Sequence, residues 1–332
     1  MKKLITHWKH TPGRHCGSTA LSNLMHFYGH PLSEAICFGL GAGLGFFYLK
    51  GDYFNPTRAL MTRSAGLEPN FFEAISVPFS WREEANNAKA LSIAQKFIDS
   101  NIPVMLQTDI YYIDYYNSKT HFNGHIVVLC GYDDEKGTAY ISDTHWNEIQ
   151  ELPFSSLEKA RTSKSPPMVL ENNYFEVDKI NSSFDLKPAI RTALIKQAED
   201  MLADSEAFGH YGVGGITAVA DDFATWASVK DWKWAARFSY QIIEKRGTGG
   251  GAFRLMYSEF LKEAEEYIKE LKSGEMSGKM RKIADKWTKL ADLLKAISES
   301  EKATGFDKAA TLISEIASLE KKFYKDILMM IK

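Results

Sequence analysis

Apolar residues three and four positions apart give the first foothold. Leu21, Leu24, Met25 and Tyr28 repeat at helical spacing, and Gly29 offers a left-handed stop, so a helix is predicted to end beside it. Asn55-Pro56 opens a second predicted helix, because proline suits a helix's first turn. Ser80 with Glu83 spells a capping box for a third, running to about Ser100. Pro103 to Thr108 reads as a strand, and Ile126 to Tyr132 as a stronger one. Asp133-Asp134-Glu135-Lys136-Gly137 then turns the chain into a partner strand, Thr138 to Ser142. Pro166-Pro167 marks a loop, and Met168 to Val177 reads as the last strand.

Beyond Lys187 the pattern becomes helical almost throughout. Leu261, Ala264, Ile268 and Leu271 share a face. So do Ile283, Trp287, Leu290, Leu294 and Ile297, and again Leu312, Ile316, Leu319, Phe323 and Ile327. Glu265 and Lys269, four apart, read as an outer-face pair. The expectation is an α+β chain in two domains: residues 1–180 with a small antiparallel sheet, and residues 181–332 all helical. The junction falls in the polar stretch from Asp178 to Lys187. Most of the helical half reads as a bundle with solvated outer faces.

Composition changes this picture little. Hydrophobic residues make up 45% of the 332 and charged ones 25%, a globular balance. A formal net charge of -2 supplies no basic field for nucleic acid or an anionic membrane. Ile36 to Leu49 is apolar but too short and too glycine-rich to span a bilayer. Cys16, Cys37 and Cys130 are too few, and odd in number, for a disulfide framework. A soluble, cytoplasmic, reduced protein is expected, and the sequence leaves its oligomeric state open.

The candidate chemistry starts at Cys16, just ahead of the first helix stripe. A cysteine there feels unpaired backbone N–H groups and the positive end of the helix dipole, both of which favour thiolate. Polar neighbours Arg14, His15 and Ser18 argue for access rather than burial, whereas Cys37 and Cys130 sit in apolar company and read as structural. A thiolate nucleophile needs a base, and the base an orienter. His125 begins one strand of the predicted hairpin and Asp143 ends the other, so hairpin geometry alone makes them neighbours.

Three separated stretches carry a resemblance. "HCGSTALSNLMHFYGHPLSEAICFGLGAGLGFFYL", "HFNGHIVVLCGYD" and "EKRGTGGGAFRLMY" are similar to the butirosin-biosynthesis protein H family, with its N-terminal domain and associated C-terminal helical domain. The resemblance implies a papain-like cysteine fold, with Cys16, His125 and Asp143 as the catalytic set. It implies an acyltransferase that takes an acyl group from a carrier-protein thioester to a small-molecule amine. An acyl carrier protein is then a partner. Phosphopantetheine would belong to that donor, and the chain needs no cofactor of its own. One departure stands out. Papain-like peptidases usually place glutamine six residues before the nucleophile as an oxyanion donor, and this chain has His10, which becomes the oxyanion candidate. A peptidase or amidase using the same site, and a non-catalytic small-molecule-binding protein on the same fold, stay open as alternatives.

Further residues join as substrate-binding expectations. Asp109 and Tyr112 lie in a tyrosine-rich loop after the Pro103 strand. Arg246 and Arg254 bracket Gly247-Thr248-Gly249-Gly250-Gly251, whose backbone N–H groups suit an anion, and Tyr257 closes the same motif. The run Gly39 to Gly45 has dinucleotide-loop spacing but follows a helix signal, so it reads as close backbone packing under the active site. Histidines and cysteines show no metal-ligand spacing, and no metal is expected.

Overall fold

The computed structural model describes residues 1–166, 168–177, 180, 184–203 and 210–331. A short strand β1 (Lys2–Leu4) precedes helices α1 (Cys16–Phe27) and α2 (Glu34–Leu40). Strands β2 (Leu44–Lys50) and β3 (Arg58–Arg63) and helices α3 (Leu67–Ala74) and α4 (Asn87–Asp99) follow. Next come β4 (Val104–Thr108), β5 (His125–Asp133), β6 (Thr138–Ser142), β7 (Gln150–Pro153), α5 (Phe154–Arg161) and β8 (Tyr174–Glu176). Among the described residues, the elements that follow are helices apart from the two-residue strand β9 (His210–Tyr211): α6 (Leu186–Leu202), α7 (Gly212–Trp226), α8 (Trp232–Glu244), α9 (Arg254–Ala264), α10 (Lys269–Ser273), α11 (Met276–Glu299) and α12 (Phe306–Ile331). The chain is α+β, as its periodicities indicate.

Two compact units emerge. One comprises Met1–Cys37 and Ser76–Phe184, the other Phe38–Ile75 and Asp185–Lys332. The C-terminal crossing falls inside the polar stretch 178–187, of which residues 178–179 and 181–183 lie outside the described set. The stretch from Phe38 to Ile75, which the alternation of helix and strand signals placed within 1–180, clusters with the C-terminal helices. Its hairpin β2–β3 packs on α7 and α8, with the buried Tyr48 stacked on Trp226 of α7 and the buried Phe46 against Trp287 of α11.

In the first unit, an antiparallel sheet runs β7-β6-β5-β4-β8, with β1 also paired to β5. Strand β5 is buried along its whole length. It is flanked by β4 in the register Thr108↔His125 and by β6, with a register shift between Leu129 and Gly131. Val104, Leu106, Val127, Leu129 and Ile141 join Ala94, Ile98, Leu157 and Ala160 in one apolar cluster, which is why these alternating stretches settle as strands between helices. Helix α4 starts later than expected. Asn86 caps it, accepting from Lys89 N–H at 2.9 Å, while Arg82 exchanges two backbone hydrogen bonds with Tyr174 and Glu83 accepts from Asn173. The predicted Ser80–Glu83 box is thus pre-empted by extended pairing. Asn55-Pro56 opens no helix either. Thr57 hands its N–H and hydroxyl to Asp231, and the residues after it pair with β2.

In the second unit, α11 packs on α8, α9 and α12, and α12 also packs on α6 and α7. Trp226 and Trp287 are fully buried there. The α12 stripe is rotated from the expected one. Ile313, Ile316, Glu320, Phe323, Tyr324 and Ile327 face inward, and Leu319 is exposed. The cause is Glu320, a polar residue that belongs inside because Arg254 meets it. Glu265 and Lys269 are not one-helix neighbours, since α9 ends at Ala264; Glu265 pairs with Lys262 instead.

Candidate active site

Cys16 is the first residue of α1, and the chain around it is tied down from several directions. His15 is the cap, extended at φ -124 and ψ 130, and its ring accepts from Ser18 N–H at 3.3 Å. The Glu34 carboxylate collects the N–H groups of Arg14 and His15 at 3.0 and 2.8 Å and the hydroxyls of Ser18 and Thr19 at 3.1 and 3.0 Å. Gly13 donates its N–H to Thr144 O at 2.8 Å, which stitches the cysteine's approach to the segment carrying Asp143. A side chain at Gly13 could not sit there, because its Cβ would lie 2.1 Å from Thr19 Oγ1.

His125 enters from the first position of β5 and Asp143 from the residue after β6. Here the hairpin expectation and the structure coincide: His125 Nε2 lies 2.9 and 3.1 Å from the two Asp143 oxygens. A carboxylate only accepts, so Nε2 carries the hydrogen and Nδ1 is the ring nitrogen left for Cys16. The Cys16 sulfur is a hydrogen-bond partner of His125. Cys16, His125 and Asp143 therefore meet, although they come from far-apart stretches. Polar neighbours suggested an open Cys16, yet the residue is only 8% exposed, with His125 at 4% and Asp143 at 2%.

Electrostatics follow from that burial. Desolvation alone would push the His125 imidazole down; the Asp143 charge and hydrogen bond, with the Cys16 sulfur, overcome it and carry it up to about 10. Desolvation would raise the Asp143 carboxyl, but the imidazolium and the hydrogen bonds from His125, Tyr115 and Thr144 N–H hold it below the usual carboxylate range. Tyr115 donates to Asp143 Oδ2 at 2.8 Å and Tyr116 to Oδ1 at 3.2 Å, with the Tyr116 oxygen 3.4 Å from His125 Nε2. The Tyr116 ring stands edge-on to the imidazole, and both tyrosines stand edge-on to Trp146. Burial and the Asp143 charge raise both phenols, so they stay protonated donors.

A match to the family model described as "Butirosin biosynthesis protein H, N-terminal" covers residues 15–144, which takes in all three converging side chains. A second, described as "Domain of unknown function (DUF4872)", covers residues 155–327, more than half the chain. The chain belongs to the butirosin biosynthesis protein H family. That places it in a class of biosynthetic enzymes. No curated protein matches the chain.

Other residues of this butirosin biosynthesis protein H relative depart from expectation. His10 has both nitrogens engaged: Nε2 lies 2.6 Å from Trp146 O, which can only accept, and Nδ1 takes the Ser142 hydroxyl at 2.8 Å. The Nε2–H is spent on Trp146 O and Nδ1 is taken by Ser142, so neither nitrogen is left for an oxyanion, and the residue instead ties Ser142 to Trp146, which flank Asp143 in sequence. Asp109 is fully buried and organises its own loop, accepting from Ser163 at 2.6 Å, His121 at 2.7 Å and the Tyr111 and Phe122 N–H groups. Burial would raise its carboxyl; these donors pull it below its ordinary value, so it has no lone pair to spare for substrate. Tyr112 is half-buried, edge-on to Tyr111 and His121.

The expected anion loop belongs to the second unit, and its anion is already part of the chain. Gly251 N–H donates to Glu244 Oε1 at 3.0 Å and Gly250 N–H to Thr248 Oγ1 at 3.0 Å. Arg254 is 0% exposed, forked onto Glu320 at 2.9 Å through two nitrogens, and bonded to the carbonyls of Thr62 and Ala252. Tyr257 is 1% exposed. Neither side chain can touch a substrate. Arg246 remains exposed, its guanidinium on Gln241 at 2.8 Å and over the Phe238 ring. The glycine run 39–45 does pack closely, but within the second unit: a Cβ on Gly39 would strike Phe260 at 2.1 Å, and one on Gly45 the Arg63 backbone at 2.6 Å.

Sequence reasoning missed Glu34, Tyr115, Tyr116 and Trp146 as parts of the site. Glu34 was visible only as a member of the matched signature. The two tyrosines belong to the tyrosine-rich loop read as a substrate surface, and nothing in the sequence aims their hydroxyls at Asp143. Cys37 and Cys130 are buried, as read, and burial raises the Cys130 thiol to about 12. Among the described residues no three acidic, histidine or cysteine side chains converge as a metal site, and no helix is long and apolar enough to cross a membrane.

Proposed function

We propose that this protein is a cysteine-dependent acyltransferase. The observation that carries the reading is the chain Cys16–His125–Asp143, sulfur to imidazole to carboxylate, with the last link at 2.9 Å. In this reading the Cys16 thiolate attacks the carbonyl carbon of a thioester. The C–S bond to the donor breaks, the departing thiolate takes the proton of the His125 imidazolium, and the acyl group rests on Cys16 as a new thioester. An amine then attacks that carbonyl, His125 accepts the amine proton, and the Cys16 thiolate leaves as the amide forms. Asp143 keeps the imidazole in one tautomer and stabilises its charge. Family membership and the resemblance of the first 150 residues or so support a thioester donor, such as an acylated carrier protein, and a small-molecule amine acceptor. With Asp109 taken up by its own loop, the acceptor-side expectation narrows to the aromatic surface at Tyr112.

Intact-mass measurement tests this. Wild type incubated with a panel of acyl thioesters is expected to gain one acyl mass, and Cys16→Ala none. Added amines should then remove the acyl group as amide. Release only as free acid would make the enzyme a hydrolase, and no adduct with an alkylation-inert Cys16 would favour a binding protein.

A further inference from the structure

Four donor groups fill the acceptor sites of the Asp143 carboxylate. His125 Nε2 and Thr144 N–H, the latter at 2.7 Å, are two of them. Two phenols are added, one on each oxygen: Tyr116 on Oδ1 and Tyr115 on Oδ2. Both come from consecutive positions of one 3₁₀ turn, Asp114–Tyr116, which closes on a left-handed Asn117. The turn is anchored at its own first residue, where Asp114 takes the Ser156 hydroxyl at 2.9 and 3.0 Å. Tyr115 and Trp146 meet edge to face at 5.5 Å, so the phenol is gripped by its ring as well as by its hydroxyl.

We infer that Tyr115 and Tyr116 are positioning residues that clamp the Asp143 carboxylate from both oxygens and thereby set how tightly His125 holds its proton against Cys16. The inference rests on the reading above that His125 and Cys16 share a proton. A hydrogen bond given to a carboxylate disperses its charge and weakens its pull on a neighbouring cation. Removing one phenolic hydroxyl concentrates that charge, so the imidazolium keeps its proton to higher pH, while the carboxylate loses part of what fixes its plane. The ionisable groups facing this centre are Cys16 from α1, Asp143 and His145 from the segment after β6, His10 through Ser142, and the two tyrosines themselves.

The first readout needs no substrate. Iodoacetamide alkylation of Cys16 across pH reports the thiolate, and the step at which the imidazolium gives up its proton marks the alkaline limb. Tyr115→Phe and Tyr116→Phe keep the rings and are each expected to move that limb upward by about half a unit to one unit. The double variant moves it further, and the single-turnover acylation rate falls severalfold. Should a Phe variant not fold, uniform replacement of tyrosine by 3-fluorotyrosine, a stronger donor, decides the matter by moving the limb down. A limb unmoved by all of these overturns the clamp while leaving the triad standing. An ordinary thiol titration near 8.5 in the wild type overturns the triad and the clamp together.

Discussion

His125 is pulled in opposite directions by its surroundings, and the balance has a thermodynamic consequence. Its imidazole rises from an ordinary 6.5 to about 10 in the folded protein, so the proton is bound more tightly folded than unfolded. The stability this contributes is complete below about 6.5 and disappears as pH climbs through about 10. Denaturation midpoints of the wild type should therefore fall between pH 7 and 10, whereas His125→Gln should be nearly flat over that window. The Asp143 carboxyl is displaced downward, so its contribution is present above the ordinary carboxylate range and is lost only in strong acid. Its chemical role can be separated from its charge. Asp143→Asn preserves the shape but not the acceptor that fixes the tautomer, and should lower acylation of Cys16 by roughly 10³ to 10⁴. Single-turnover kinetics measure this, with circular dichroism to check that the fold persists.

Elements show the other use to which this chain puts charge. The Arg254–Glu320 pair joins α9 to α12 at zero exposure, with Trp287 Nε1 donating to the same carboxylate at 2.7 Å. Removing one partner of such a pair leaves a buried charge uncompensated and costs ~3–5 kcal/mol. Arg254→Met should show that loss in chemical denaturation, and the double change Arg254→Met with Glu320→Leu should recover most of it. Donor affinity at Cys16 should be the same in the double variant as in wild type. The glycine loop before α9 is similarly structural. Gly251 has φ +55, and a Cβ there would meet Ala284 at 2.9 Å, so Gly251→Ala should cost ~1–3 kcal/mol with no change in thiol reactivity. These elements also show what a sequence can and cannot reveal. Strands β5 and β6 and the helix after Cys16 were legible because apolar spacing and turn residues agree, and His125 and Asp143 became neighbours through hairpin geometry alone. The α12 face was misjudged because a single glutamate belongs to the interior by virtue of a partner 66 residues away. Arg254 was misjudged for the same reason. Two arginines around a glycine run look like an anion site until one knows that Glu244 and Glu320 supply the anions. His10 failed as an oxyanion donor because nothing local announces that Ser142 and Trp146 take both of its nitrogens.

On the scale of the whole molecule, the division into units is discontinuous. Residues 38–75 interrupt the unit that carries Cys16 and count toward the one built from residues 185–332. A chain stopped at residue 180, where periodicity alone would cut, keeps all three site side chains but leaves Phe46, Tyr48, Leu60, Phe71 and Phe72 without their burial partners. Such a fragment should bind a hydrophobic dye and aggregate on gel filtration. Replacing 38–75 by a short glycine-serine linker in the same fragment should reduce both effects.

The same interleaving bears on how the protein is made. A ribosome releases residues 38–75 well before α7, α8 and α9 exist, and at ~5–20 residues per second the hairpin waits on the order of ten seconds for the surface that will cover it. During that interval its aromatic face is open to chaperones and to other nascent chains. The yield of active protein should therefore depend on elongation speed through the C-terminal half more steeply than the stability of the finished fold would suggest.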